Sequence, residues 1–335
     1  MSNFLSLLWI STNKETLSKG CCRDMTIGAL LTGGYGKRLQ SITGEIPKTL
    51  LPLKDDYLIL DRQLLDFKYA GINRVYLLSG YKGELIERRY GHMWKGINVT
   101  QLREEKPMGT LWALRNLYSH LDSDIILRNG DTICDLDLRS FLSYSASKSS
   151  PVTLAVAKMV SPFGIVSIRN GYVSEFVEKP ILNHYVNIGC YHLKPGVKTY
   201  LKRPYSSTGI ENTLFDSLSK DGKIRAFKFG GYWKAVDSVK DYEEIKKDYE
   251  TREDYDFGHV SLHRGIRECT TYKDRVVMTK GRGKIKVVDG KVDVNGTIIP
   301  KGKSKSIGET SQIRSIEESK FSLIGNLRIA NPGET

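Results

Sequence analysis

The stretch Leu31-Thr32-Gly33-Gly34-Tyr35-Gly36-Lys37-Arg38-Leu39-Gln40-Ser41-Ile42-Thr43-Gly44-Glu45-Ile46-Pro47-Lys48-Thr49-Leu50-Leu51-Pro52 decides the fold of this chain. A short apolar run, Ile27–Leu31, leads into a turn holding Gly33, Gly34 and Gly36, with Arg38 and Lys48 close behind. Glycine reaches positive φ and lets the backbone approach a ligand closely, so several N–H groups can converge on phosphate oxygens. A helix is expected next, with its positive dipole end aimed at the same place. Two full cations beside such a turn make a polyphosphate the expected ligand.

Outward from that stretch, helix and strand signals alternate. Residues 58–70 read as an amphipathic helix closed by Gly71, 75–79 as a strand, 84–90 as a helix and 99–103 as a strand. A helix over 111–119 and a strand over 124–127 follow, the strand running into Asn129-Gly130-Asp131. This alternation predicts a Rossmann-like, doubly wound, mostly parallel α/β sheet with right-handed crossovers. Ligands of such sheets bind beyond the carboxyl ends of the strands. The glycine turn and Asp131 both follow strands, so two motifs found separately converge on one rim. From Pro151 the texture changes to short strands over 153–157, 165–168, 173–178 and 186–192. A helix over 211–219, one or two strands within 225–236 and a closing helix over 240–250 complete this part. Beyond Thr251, alternating segments at 284–288 and 292–299 with turn signals Asp289-Gly290 and Asn295-Gly296 predict a small all-β domain.

These motifs resemble the signature of the sugar-1-phosphate nucleotidyltransferases: a glycine turn, a basic residue, Arg-Leu, a Thr, then Pro-Lys-x-Leu-x-Pro. Glu104-Glu105-Lys106-Pro107-Met108-Gly109-Thr110 is similar to that family's acidic stretch ending in Pro-Leu-Gly-Thr, and Asn129-Gly130-Asp131 to its metal motif. Phe163-Gly164-Ile165-Val166 resembles Tyr-Gly-Val-Val, Phe176-Val177-Glu178-Lys179-Pro180 its Glu-Lys-Pro segment, and Asn187-Ile188-Gly189-Cys190-Tyr191 its Asn-x-Gly-x-Tyr. The motifs keep the family order over roughly residues 25–250, with the flavour of mannose- and heptose-1-phosphate guanylyltransferases.

The resemblance implies an enzyme that joins a nucleoside triphosphate, GTP favoured, to a mannose- or heptose-type sugar 1-phosphate. An oxygen of the sugar phosphate attacks the α-phosphorus in line and pyrophosphate leaves, assisted by Mg²⁺. Arg38 would hold the leaving pyrophosphate, Lys48 the α-phosphate and Lys179 the sugar phosphate. Leu31, Gly33, Gly34, Gly36, Glu104, Gly109, Asn129 and Gly130 would surround the nucleotide. Gly164, Glu178, Asn187 and Glu211 would line the sugar side, and Asp131 would bind the metal. One departure stands out. The family's late aromatic-x-Asp-x-Gly segment aligns with Trp233-Lys234-Ala235-Val236-Asp237, placing Ala235 where the second metal carboxylate belongs. Strand side chains repeat with period two, so Asp237 shares the face of Ala235 and can replace it. The alternative is a non-catalytic nucleotide-sugar-binding subunit that regulates an active homologue.

Composition sets the outer bounds. The chain has 335 residues, 40% of them hydrophobic, enough for one large core and a smaller one. Its apolar runs are short of membrane-spanning length, so no membrane partner is expected. The net charge of +13 is spread among acidic residues without an aromatic-basic RNA motif, so no nucleic acid is expected. A positive field suits anionic substrates. Five cysteines, including Cys21-Cys22, form neither zinc spacing nor a disulfide framework, which points to a reducing cytoplasm. His259 and His263 lack a second ligand pair, so no metal site is expected there.

The expected organisation is thus a poorly ordered extension over 1–24, a nucleotidyltransferase domain over 25–250 and a β-rich domain over 251–335. The extension carries no basic leading segment or cleavage site of a signal peptide. The β-rich part resembles a degenerate cupin barrel without its paired metal histidines, because His263 is followed by Arg264-Gly265. Packing or homo-oligomerisation is its expected role; hexapeptide repeats of a β-helix are absent from the sequence.

Overall fold

The computed structural model describes residues 26–44, 46–255 and 258–330, so the extension read at 1–24 lies outside the described residues. Eight strands build the main sheet: β1 (Ile27–Leu31), β2 (Arg74–Ser79), β3 (Met93–Trp94), β4 (Ile97–Arg103), β5 (Ile125–Asn129), β6 (Val152–Val160), β7 (Ile181–Leu193) and β8 (Ile224–Phe229). Their order is β8-β6-β7-β5-β1-β2-β4-β3. β1 pairs in parallel with both β2 and β5, β2 with β4, and β6 with β8. β7 enters antiparallel between β5 and β6, and β3 closes the far edge antiparallel to β4. The chain leaves β1 towards β2 on one side and returns to β5 on the other. That reversal opens a crevice at the carboxyl ends of β1 and β5.

Both faces of the central strands are buried. Leu30, Val75, Leu77 and Ile126 face one core, shared with Leu64 and Phe67 of helix α1 (Ile59–Ala70). Their sequence neighbours Ala29, Tyr76, Leu78 and Leu127 face a second core with Leu114 and Leu117 of helix α2 (Thr110–His120). Period-two alternation with apolar residues on both sides is what a parallel sheet sandwiched by helices requires. Gly71 ends α1 as the sequence indicates, at φ +83°, with Ile72 N–H returning to Phe67 O at 2.8 Å.

Two elements differ from expectation. The helix expected after the glycine turn is only four residues, Gln40–Thr43, preceded by a single 3-10 turn, Lys37–Leu39. Gly44, at φ +53°, and Pro47 end it. Helix dipole therefore adds little there, and the positive groups the turn offers are its own N–H groups and the nearby side-chain cations. The helix expected over 211–219 begins as one π-turn, Glu211–Phe215, before Asp216–Lys220.

From Arg252 onward the chain forms a nine-stranded antiparallel sheet with its own core, including Val277, Ile285, Val294, Ile313 and Phe321. Asn295 and Gly296, at φ +50° and +83°, make the hairpin turn their sequence signals. The two parts meet through buried charge. Arg62 on α1 is 1% exposed and contacts Asp66, Asp135 at 3.4 Å and Asp254 at 3.1 Å. Arg252 contacts Asp135 and lies 3.3 Å from Asp254, and Arg128 reaches Asp66 at 2.7 Å. His259 sits inside this network, against Asp254 Oδ1 at 2.6 Å and the Tyr272 hydroxyl at 2.7 Å.

At the same junction, burial first and then Asp137, Asp135 and Asp289 push the Glu318 carboxyl up to about 8. A carboxyl that holds its proton more tightly when folded contributes fully below its unfolded value of about 4.3 and loses that contribution as pH rises towards the folded value. Glu318→Gln should therefore leave the melting temperature unchanged near pH 4 and raise it at pH 8, measured by thermal unfolding across that range.

Candidate active site

The site is assembled by loops leaving the carboxyl ends of β1, β2, β4 and β5. At the end of β1, Thr32 N–H and hydroxyl both donate to Leu78 O, at 2.9 and 3.2 Å, so the chain stays tied to β2 before the glycine turn projects. A Cβ on Gly33 would lie 3.2 Å from the Gly80 nitrogen and 3.3 Å from Glu104 Oε1, so three loops close on this position. Gly36 takes φ +58°, which turns the chain towards Lys48. The Tyr35 and Tyr81 rings pack against each other beside the turn, 4.7 Å between centroids and tilted by 34°. Glu104 Oε2 accepts the Met108 N–H at 3.1 Å, which fixes the loop leading into α2.

The Asn-Gly-Asp motif follows β5. Gly130 N–H donates to Leu31 O at 3.0 Å, and a Cβ there would lie 2.5 Å from that oxygen. Only glycine lets the two loops approach this closely. The Asn129 carbonyl accepts from Gln63 Nε2 at 2.9 Å, while its side chain fills the space left by Gly189 at φ +69°. Asp131 Oδ2 then meets Lys48 Nζ at 2.6 Å.

Lys48 Nζ also lies 3.5 Å from Asp237 Oδ1. Ala235 pairs with Thr132 across a two-stranded ribbon, and Val236 N–H donates to Asp131 O at 2.9 Å. The strand ends there, and Asp237 emerges just ahead of the Ser238 cap of helix α3 (Val239–Glu250). One ammonium is thus bracketed by two carboxylates from segments far apart in sequence.

These groups border a cavity of about 350 Å³. Of the residues singled out by sequence, Leu31, Gly33, Gly34, Lys48, Glu104, Gly109, Asn129, Gly130, Asp131 and Glu211 line it. Glu211 arrives there because Leu111 N–H binds Thr208 O at 2.9 Å and Ile210 N–H binds Thr110 Oγ1 at 3.0 Å. That contact uses Gly109 at φ +87°, whose Cβ would lie 2.6 Å from Thr208. Gly36 and Asp237 reach the site through Lys48 rather than through the cavity wall. The other sequence-derived residues lie off the wall. Arg38 is exposed on the turn beyond Gly36. Asn187 donates to the Tyr191 hydroxyl at 2.8 Å and accepts the Gly189 N–H at 2.9 Å. Gly164, Glu178 and Lys179 sit at the base of an exposed hairpin.

Trp112, Ala113 and Asn116 of α2 also line the cavity and escape a motif-based reading. The signal for them is their offset from the buried stripe Leu111, Leu114, Leu117 and Tyr118 of the same helix. Among the described residues no group of three or more His, Cys, Asp or Glu is arranged to hold a metal alone. Asp131 and Asp237 nonetheless offer two hard carboxylates to one cation, the Lys48 ammonium. That donor set fits a Mg²⁺ ion that takes its remaining oxygens from phosphates and water.

The sequence model of the family described as Nucleotidyl transferase matches residues 27–252. Mannose-1-phosphate guanylyltransferase catalytic subunit beta of Xenopus tropicalis is 28% identical over 225 residues, covering 64% of this chain and 61% of that protein. The chain thus spans about three fifths of the length of that relative. The Bacillus subtilis protein named "Probable glucose-1-phosphate cytidylyltransferase" is 28% identical over 240 residues, 65% of this chain and 94% of that protein. Among solved structures, HddC from Yersinia pseudotuberculosis shares the fold with a TM-score of 0.53 and 24% identity, over 67% of this chain and 99% of that one. The two-wound sheet, the glycine turn and the Asn-Gly-Asp loop on one rim, and a family match across that whole region lead to one conclusion: the chain belongs to the nucleotidyl transferase family, alongside the sugar-1-phosphate nucleotidyltransferases.

Proposed function

We propose that this chain transfers a nucleotidyl group from GTP to a sugar 1-phosphate of mannose or heptose type, with Mg²⁺, giving a nucleoside-diphosphate sugar and pyrophosphate. The observation that carries the reading is the Lys48 ammonium held between Asp131 and Asp237 at the edge of the glycine-lined cavity. Both reactants are anions and the sugar phosphate is already ionised near neutral pH. The chain must therefore neutralise charge and align the reactants, and it needs no covalent nucleophile or general base.

Each residue then has a task. N–H groups of the Gly33–Gly36 turn cradle phosphate oxygens, and Lys48 exchanges its carboxylate partners for the α-phosphate. Arg38 steadies the departing pyrophosphate and Lys179 the sugar phosphate, while Asn187, Glu178 and Glu211 meet sugar hydroxyls. Mg²⁺, held by Asp131 and Asp237, would offset the charge that builds on the triphosphate. Glu104 supports the choice of base. A carboxylate only accepts hydrogen bonds. Guanine offers adjacent N1–H and N2–H₂ donors, whereas uracil and thymine present one donor between two acceptors. Ala235 favours a second reading, a binding subunit without turnover, because it supplies no donor at the usual metal position.

Pyrophosphate release separates the two. The purified chain with Mg²⁺ should turn over GTP with mannose- or heptose-1-phosphate, and Asp131→Ala should lower kcat by roughly 100-fold or more. Asp237→Ala should cost activity that Ala235→Asp restores in the double variant. Nucleotide binding without any turnover across bases and sugars would favour the binding subunit. For base choice, Glu104→Gln replaces an acceptor-only group with a donor-acceptor pair. Its kcat/KM for GTP should fall roughly 10- to 100-fold, by the loss of about 1–3 kcal/mol of base recognition, while that for UTP rises; unchanged preference would remove Glu104 from base recognition.

A further inference from the structure

Leu31, Leu78 and Leu102 stand in one row across the main sheet, because Leu31 of β1 pairs with Leu78 of β2, and Leu78 with Leu102 of β4. Paired residues share a face of the sheet. This row points towards α2, where Leu78 packs with Leu114 and Leu117. All three leucines line the cavity, and so do Trp112, Ala113 and Asn116 of α2. Neighbouring strands lie about 4.8 Å apart, so the row makes a flat apolar floor roughly 10 Å wide. Beyond Leu31 the chain runs straight into Thr32, Gly33 and Gly34, so the floor adjoins the glycine turn. Floor and helix together bound a slot suited to a flat ring.

Residues three and four apart share a side of a helix, so Gly109, Trp112, Ala113 and Asn116 form one stripe. Most other polar side chains of α2 bond to the protein. Thr110 Oγ1 accepts the Ile210 N–H at 3.0 Å, and Arg115 donates to Leu201 O at 2.8 Å and Arg203 O at 2.7 Å. The Tyr118 and Ser119 hydroxyls donate to the carbonyls of Leu193 and Asn116. Among the described residues, the Trp112 indole N–H and the Asn116 amide have no such partner, and both side chains stand half-buried at the cavity wall. Asn is a poor residue for a helix interior. The helix itself gives no reason for one at 116, and the cavity does.

We propose that the slot holds a purine, its face against Trp112 and its N7 accepting a hydrogen bond from the Asn116 amide. This rests on the nucleotide site proposed above. With phosphates at the glycine turn, the base is the part of a nucleotide left for the apolar floor. A sugar ring laid there would set its hydroxyls against leucine. Stacking on an aromatic ring accepts any base, so Trp112 supplies affinity rather than choice. N7 supplies the choice: a pyrimidine has no imidazole ring, and both purines present N7 as an acceptor. Asn116 therefore selects purine over pyrimidine. Glu104 then selects guanine over adenine, whose N1 is an acceptor where guanine carries N1–H, because a carboxylate only accepts. Each residue is blind to one distinction, and the two together specify one base.

Calorimetric titration of the full chain with GTP and with 7-deaza-GTP, which has carbon in place of N7, tests this without sugar phosphate and without turnover. The wild type should bind GTP roughly 10-fold more tightly than the deaza analogue, the worth of one hydrogen bond. Asn116→Leu should erase that difference by weakening GTP alone. Trp112→Ala should weaken both ligands about 10-fold, and Trp112→Phe should keep most of the affinity. A wild type indifferent to N7, or one that binds UTP or CTP as tightly as GTP, overturns the assignment and leaves the nucleotide site standing. If Asn116→Leu fails to fold, the two wild-type titrations decide alone. A chain that binds no nucleoside triphosphate overturns both this assignment and the site it rests on.

Discussion

Three guanidinium groups removed from water govern how this molecule is put together. Arg62, Arg128 and Arg252 are almost wholly buried, and three buried carboxylates, Asp66, Asp135 and Asp254, answer them one for one. Burying an ion costs several kcal/mol unless partners and hydrogen bonds compensate, and removing one member of such a set leaves a bare charge in the interior. The cluster is therefore all or nothing. Burial alone would raise the Asp254 carboxyl, yet the guanidinium of Arg62 and the ring of His259 hold it well below the usual carboxylate range. Burial keeps His259 itself below its ordinary value, a neutral ring bridging Asp254 and Tyr272.

That cluster reaches the site by a short route. Gln63 follows Arg62 on α1, is fully buried, and donates to the Asn129 carbonyl. Asn129 begins the loop whose third residue, Asp131, meets Lys48. The second sheet supplies Arg252, Asp254 and His259, so it helps position α1 and, through α1, the Asn-Gly-Asp loop. A tie between the domains thus accounts for the placement of a carboxylate at the site. The mouth of the cavity is likewise a matter of charge. Asp131 and Asp237 share the Lys48 ammonium, and in the reaction proposed above the α-phosphate would replace them as its partner.

Much of this was legible from residue types. The glycine turn, the Asn-Gly-Asp loop and the alternation of elements place Leu31, Gly33, Gly130 and Asp131 on one rim because strand ends in a parallel sheet share a rim. Glycines at 109, 130 and 189 stand where another backbone or side chain comes too close for a Cβ, a reason that only the structure supplies. Other features depend on long-range register that local patterns do not encode. The antiparallel entry of β7, the π-turn at Glu211 and the short helix after Thr32–Gly36 follow from tertiary packing. Asp237 is intermediate: period two puts it on the right face, but its proximity to Lys48 depends on Ala235 pairing with Thr132. Trp112 and Asn116 lay hidden because a helix that is largely core draws the eye to its apolar stripe.

The nucleotidyl transfer proposed for the Lys48–Asp131–Asp237 site runs in both directions. Incubating the chain with GDP-mannose, pyrophosphate and Mg²⁺ and following phosphorus by NMR tests it directly. The diphosphate signals should give way to those of GTP and mannose 1-phosphate, and Asp131→Ala should abolish the change. A spectrum that stays unchanged while GDP-mannose binds the protein would contradict it.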